Sequence, residues 1–134
     1  MSKSDYLEGK WLDHDFGIAT YTPASTKYVA LFTSAPSDAG GGTEVTIGSN
    51  AYARVAVTNS GSNWTRTGSQ VANAVAVTFP APDPSGWATV THFGIFDAGT
   101  GGNLLYWGAL TTPRATASGV APTFAPGALT HSED

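Results

Sequence analysis

Residues 87–110, WATVTHFGIFDAGTGGNLLYWGAL, decide the fold. Two extended segments, 89–97 and 104–110, flank a glycine-rich turn. Val90, Phe93, Ile95 and Phe96 in the first, and Tyr106 and Trp107 in the second, favour a pleated backbone. Large apolar groups fill both alternation phases of the first segment: Phe93 and Ile95 in one, Val90 and Phe96 in the other. A strand with one wet face alternates apolar and polar residues. This one does not, so it is expected to be covered on both faces, in the middle of its sheet. Gly99-Thr100-Gly101-Gly102 supplies positive φ at low steric cost. Closed as a three-residue loop, the hairpin sets Gly94 opposite Gly108. That leaves a notch without side chains, into which an aromatic ring from elsewhere packs.

Working outward, further strands follow with turn signals between them. Tyr28–Thr33 and Tyr52–Thr58 are strands, the latter with Val55 and Val57 in one phase. Trp64–Thr67 is a short edge strand. Ala72–Phe79 is a single strand with Val75, Val77 and Phe79 facing one way. Shorter ones are expected at 44–47, 120–124 and 128–131. Pro80 to Gly86 ends one strand and Pro113 closes the hairpin, because proline cannot donate to a ladder. This spacing predicts a mainly β chain, a single antiparallel β-sandwich of jelly-roll or Greek-key type over 21–134.

Residues 1–20 form an N-terminal helical segment. Asp5 followed by Glu8 resembles a capping box at the helix start, and Gly17 is a C-terminal stop. Leu7 and Trp11, then Leu12 and Phe16, are spaced four apart and are expected to form one apolar stripe. Gly9 weakens the helix by about 1 kcal/mol relative to alanine. The helix therefore needs something to dock on, either its own sheet or another subunit.

Composition narrows the function classes. The chain has 134 residues, no cysteine, six Lys and Arg together and a net charge of −4. Disulfides and thiolate metal sites are excluded. A scattered handful of cations makes no nucleic-acid stripe, and no apolar run approaches the roughly 20 residues of a membrane helix. No N-terminal apolar region marks a secretory signal. Charged residues are only 12%, about half the usual share. Two readings fit this: a surface covered by neighbouring subunits, or a turn-rich domain that is simply charge-poor.

No catalytic constellation emerges. Asp13-His14-Asp15 points three ways from a helix and cannot converge on a metal. His92 is expected to pack beside Phe93 and bond a backbone carbonyl, and His131 carries no signal. Asp97 is a turn cap. Asp38 and Glu44 flank Gly40-Gly41-Gly42 without calcium-loop spacing. No Gly-x-Ser-x-Gly elbow is present. Neither a catalytic residue nor a metal or cofactor site is expected, and the chain reads as no enzyme. Trp87 and Trp107 belong to the core hairpin, whereas Trp11 and Trp64 are less sheltered and suit an interface or a sugar ring. The long 34–50 loop is expected to contact a partner. The candidate interface residues are Leu7, Trp11, Leu12, Phe16, Asp38, Glu44 and Trp64.

The segments TKYVALFTSAPSDAGGGTEV, AYARVAVTN, VTHFGIFDAGTGGNLLYWGALTTP and PGALT resemble a family of small tailed-bacteriophage proteins usually labelled "phage tail fibre protein". The resemblance runs from about Tyr21 to Leu129, with Tyr28–Phe32 and His92–Asp97 as its most specific parts. It implies a virion component assembled in the host cytoplasm, with other virion proteins as partners and no nucleic acid or membrane. The expected role is a capsid decoration or cement protein that binds the major capsid protein and further copies of itself as a homo-oligomer. The alternative is a tail-fibre or tail-tip subunit, with a receptor- or carbohydrate-binding role.

Overall fold

A computed structural model describes all residues, 1–134. In chain order the elements are β1 (Ser2–Lys3), α1 (Asp5–Asp15), β2 (Thr26–Ser34), β3 (Thr43–Glu44), β4 (Val55–Thr58) and β5 (Trp64–Thr67). There follow β6 (Gln70–Asn73), β7 (Val77–Thr78), β8 (Val90–Phe96), β9 (Leu104–Arg114), β10 (Thr123–Phe124) and β11 (Thr130–Ser132). The chain is mainly β, all its pairings are antiparallel, and it has one N-terminal α-helix.

The large sheet has the order β1-β9-β8-β2-β3, with β4 also paired to β2. The 87–110 stretch thus supplies its two middle strands. Two small sheets, β7 with β10 and β11-β6-β5, complete the β structure. One core lies between them. Val29, Leu31, Phe93 and Ile95 from the large sheet meet Tyr52, Val77, Phe79, Trp87 and Leu129 from across the gap. Side chains alternate along a strand, so Ala30, Phe32, Phe96, Leu105 and Trp107 fall on the other face. There α1 lies against β9 and buries Leu7. Strand β8 is therefore covered on both sides, as its unbroken apolar sequence requires.

The hairpin register differs from expectation by one residue. Gly94 faces Trp107, and Gly108 faces Phe93. The cause is a register shift between Ile95 and Phe96, where Leu104 and Tyr106 are the partners and Leu105 is left over. Such a bulge places two residues against one. The notch survives in another form, because each glycine has its own ring. A Cβ on Gly94 would stand 2.8 Å from the Phe32 ring, and one on Gly108 would stand 2.9 Å from the Phe93 ring. Gly94→Ala is expected to cost about 1–3 kcal/mol through overpacking, read as a lower urea midpoint at unchanged slope.

Three further expectations are corrected. Residues 72–79 form two strands in different sheets, not one. The chain turns at Ala74–Val75, where Asn73 holds Val75 O and Ala125 O through its amide nitrogen. Pro113 does not close β9, which runs through it to Arg114, the partner of Val90 on β8. The ladder to β8 is interrupted between the Ala109 and Arg114 pairs, and a proline is tolerated where pairing is irregular. Residues 1–3 are not separate from the sheet: Ser2 and Lys3 pair with Trp107 and Tyr106.

Candidate functional site: an apolar helix face beside a glycine-walled cleft

Helix α1 begins at Ser4, not at an Asp5–Glu8 capping box. The Ser4 hydroxyl accepts from Leu7 N at 3.3 Å and donates to Leu104 O at 2.6 Å. One buried serine thus caps the helix and fixes it to β9. The C-terminus is a Schellman motif. Gly17 N donates to His14 O, Ile18 N donates to Asp13 O, and Gly17 has φ +69°. Glycine adopts this left-handed conformation without a Cβ penalty, which is why it is the usual residue at this position.

The single apolar stripe is instead two. One residue beyond a four-residue step lies about 100° further round the helix. Leu7 faces the sheet and is buried. Trp11 is at the margin, edge-on to Tyr21 at 5.3 Å between ring centres. Leu12 and Phe16 point away, 58% and 74% exposed, and Ile18 beyond the helix is 74% exposed. The helix has docked on its own sheet and still presents an apolar end to solvent.

The other sequence candidates lie elsewhere. Asp38 lines a cleft of about 680 Å³ beside the helix N-terminus. Its walls are Gly40–Gly42 on one side and Gly101–Asn103 on the other, and its floor includes Phe32 and Phe96. Gly42 and Gly102 are obligatory there, since a Cβ would stand 2.7 Å from Pro36 N in the first case and from the Ala98 Cβ in the second. Asp38 itself accepts from Trp107 Nε1 at 2.8 Å and, through its carbonyl, from Asp5 N.

Glu44 is the centre of an internal network. Arg54 donates to both its carboxylate oxygens at 2.8 Å. Arg54 also donates to Ala98 O and Gly101 O, and its guanidinium lies 3.6 Å above the Phe96 ring. Tyr52 donates to Glu44 and accepts from Leu31 N. Burial holds the Tyr52 hydroxyl far above its usual pKa, so it stays a donor. The network ties the 35–44 and 97–103 loops to β2 and β4.

Trp64 lies on edge strand β5, as expected, but is half-buried against the core. It shares a shallow cleft of about 300 Å³ with Lys27 and Tyr106. Burial lowers the Lys27 amine and pushes the Tyr106 hydroxyl up to about 12. Asp97 is the turn cap expected of it, accepting from Asn103 N and Nδ2 at 2.7 and 2.8 Å. His92 bonds the Thr91 hydroxyl rather than a backbone carbonyl. No group of three or more His, Asp or Glu residues converges to hold a metal ion.

His131 is a working residue that its sequence position gave no reason to single out. It is buried, with Nδ1 2.8 Å from Met1 O and Nε2 3.1 Å from Glu133. Lys3 also pairs with Glu133, so this cluster clasps β1 to the last strand. The Lys3 contact, and then His131, hold the Glu133 carboxyl below its ordinary value. Its contribution is therefore full above pH 4.5 and lost as pH falls through the depressed value. Glu133 is largely exposed, so the effect is well under about 1 kcal/mol. Glu133→Gln is expected to flatten that part of an acid-unfolding curve slightly.

Among curated proteins, none matches the chain. One family model does, over residues 2–132, under the description "Podophage GP4 fiber I protein gp80". That describes a fibre component, so the expected capsid-decoration role lacks support and the tail-fibre alternative is favoured. With nearly its whole length matched, the chain belongs to this Gp80 family of phage fibre structural proteins.

Proposed function

We propose that this protein is a non-enzymatic fibre module that is held in the virion through the outward end of α1. It works in several copies and is incorporated during assembly in the host cytoplasm. The observation that carries the reading is the exposure of Leu12, Phe16 and Ile18 together. They lie on the last turn, at the C-cap and just beyond a helix that has already buried Leu7 and capped both its ends. Large exposed apolar groups clustered at one place mark an interaction surface. Trp11, at the margin, borders it. Leu7 serves the fold, while Asp38 and Glu44 shape the neighbouring cleft through internal bonds.

The test uses phage carrying Phe16→Asp. The purified variant is expected to keep the wild-type melting temperature, because Phe16 is exposed. Its abundance in purified particles is expected to fall at least tenfold, read by quantitative mass spectrometry. Wild-type incorporation of the variant would refute attachment through this surface.

A further inference from the structure

A second apolar feature lies away from the helix. Between the outer end of β9 and β10, the gap between the sheets opens into a cleft of about 330 Å³. Its depth reaches the core residues Leu31, Val90 and Phe93, and Leu110 and Phe124 also line it. The pairing of β8 with β9 shifts here, between Val90 and His92, so β9 carries extra residues opposite them, and Leu110, Thr111 and Thr112 line the cleft. Arg114 lines it too and makes no ion pair within the chain.

We propose that this cleft receives the helix end of a second copy of the same chain, with Phe16 as the inserted side chain. Three observations favour that occupant. Size agrees: an apolar cavity of about 150 Å³ accommodates a benzene ring, so this cleft has room for a phenyl group and for part of Ile18 beside it. Polarity agrees: the exposed helix end is aliphatic and aromatic, as is the cleft floor. Charge agrees: Asp13 and Asp15, in the helical turn that precedes Phe16, form no salt bridge, and the cleft offers the unpaired cation of Arg114. The helix end and the cleft are different surfaces, so the contact is heterologous. Repeated, it generates a closed ring or an open stack, either of which suits a fibre. The inference rests on the reading of the helix end as an attachment surface and names what covers it.

Sedimentation velocity on purified full-length protein tests it with two variants. Phe16→Asp destroys the inserted group and keeps the cleft. Thr112→Arg crowds the cleft at an exposed position and keeps the helix end. The wild type is expected to self-associate as concentration rises. Each variant alone is expected to associate at least about thirtyfold more weakly, the scale of an interface hot spot. An equal mixture of the two regains a dimer, because one intact helix end meets one intact cleft. Circular dichroism melts at the wild-type temperature show that neither variant has unfolded. A wild type that stays monomeric at its highest soluble concentration would overturn the inference, as would a Phe16→Asp variant that associates normally. A mixture without dimer would do the same. A monomeric wild type combined with loss of Phe16→Asp from particles assigns the helix end to a different virion protein, leaving the fibre reading standing.

Discussion

Replacing Arg54 by Met is expected to destabilise the protein by about 3–5 kcal/mol, the cost of breaking a buried pair from one side. The Arg54 side chain is 4% exposed and that of Glu44 19%. Removing the guanidinium strips Glu44 of its bidentate partner and leaves Ala98 O and Gly101 O without their donor. The methionine retains contact with Phe96 but none of the hydrogen bonds. Guanidinium unfolding of the purified variant measures the loss. The double variant Arg54→Met/Glu44→Gln is expected to recover part of it, since no uncompensated charge remains. A single variant within about 0.5 kcal/mol of wild type would show that the network contributes little.

The second large effect is expected at Asn73, which is 2% exposed. Its side chain donates to Val75 O and Ala125 O and accepts from Leu129 N, all within 2.9 Å. Asn73→Ala leaves the buried Leu129 N–H and the Val75 carbonyl without partners, while Ala125 O keeps Ala128 N, at a cost of about 2–3 kcal/mol in total. The same residue stops β6 and holds the 125–129 turn beside it, so the loss is expected to reach the second layer as a unit. Hydrogen exchange would show faster exchange at Leu129 and along β11, with β8 unaffected below the global unfolding limit.

The sequence features that proved legible are local ones. The doubled apolar phases of 90–96 placed β8 mid-sheet, and Gly17 ended the helix. Asp97 capped its turn, and Trp64–Thr67 was an edge strand. What escaped depends on partners distant in sequence. Two residues, Ser2 and Lys3, are too few to carry a strand pattern, yet β9 recruits them. The bulge at Leu105 displaced Gly94 from Gly108 because register is set by pairing and not by loop length alone. The four-residue spacing within each of Leu7/Trp11 and Leu12/Phe16 is plain in the sequence, but the angle between the two pairs is not. That angle decides which pair meets the sheet. Asp38 and Glu44 read from sequence as interface candidates, and their internal bonds are not legible there, because the partners Arg54, Tyr52 and Trp107 lie up to 69 residues away. The tail-fibre label carried by the resemblance was the better guide to location than the shell role preferred beside it.

The most direct test of the account is a cryo-electron microscopy map of the assembled fibre at side-chain resolution. The account predicts that Leu12, Phe16 and Ile18 are buried against another protein molecule. A map in which these three residues face solvent in every copy would contradict it.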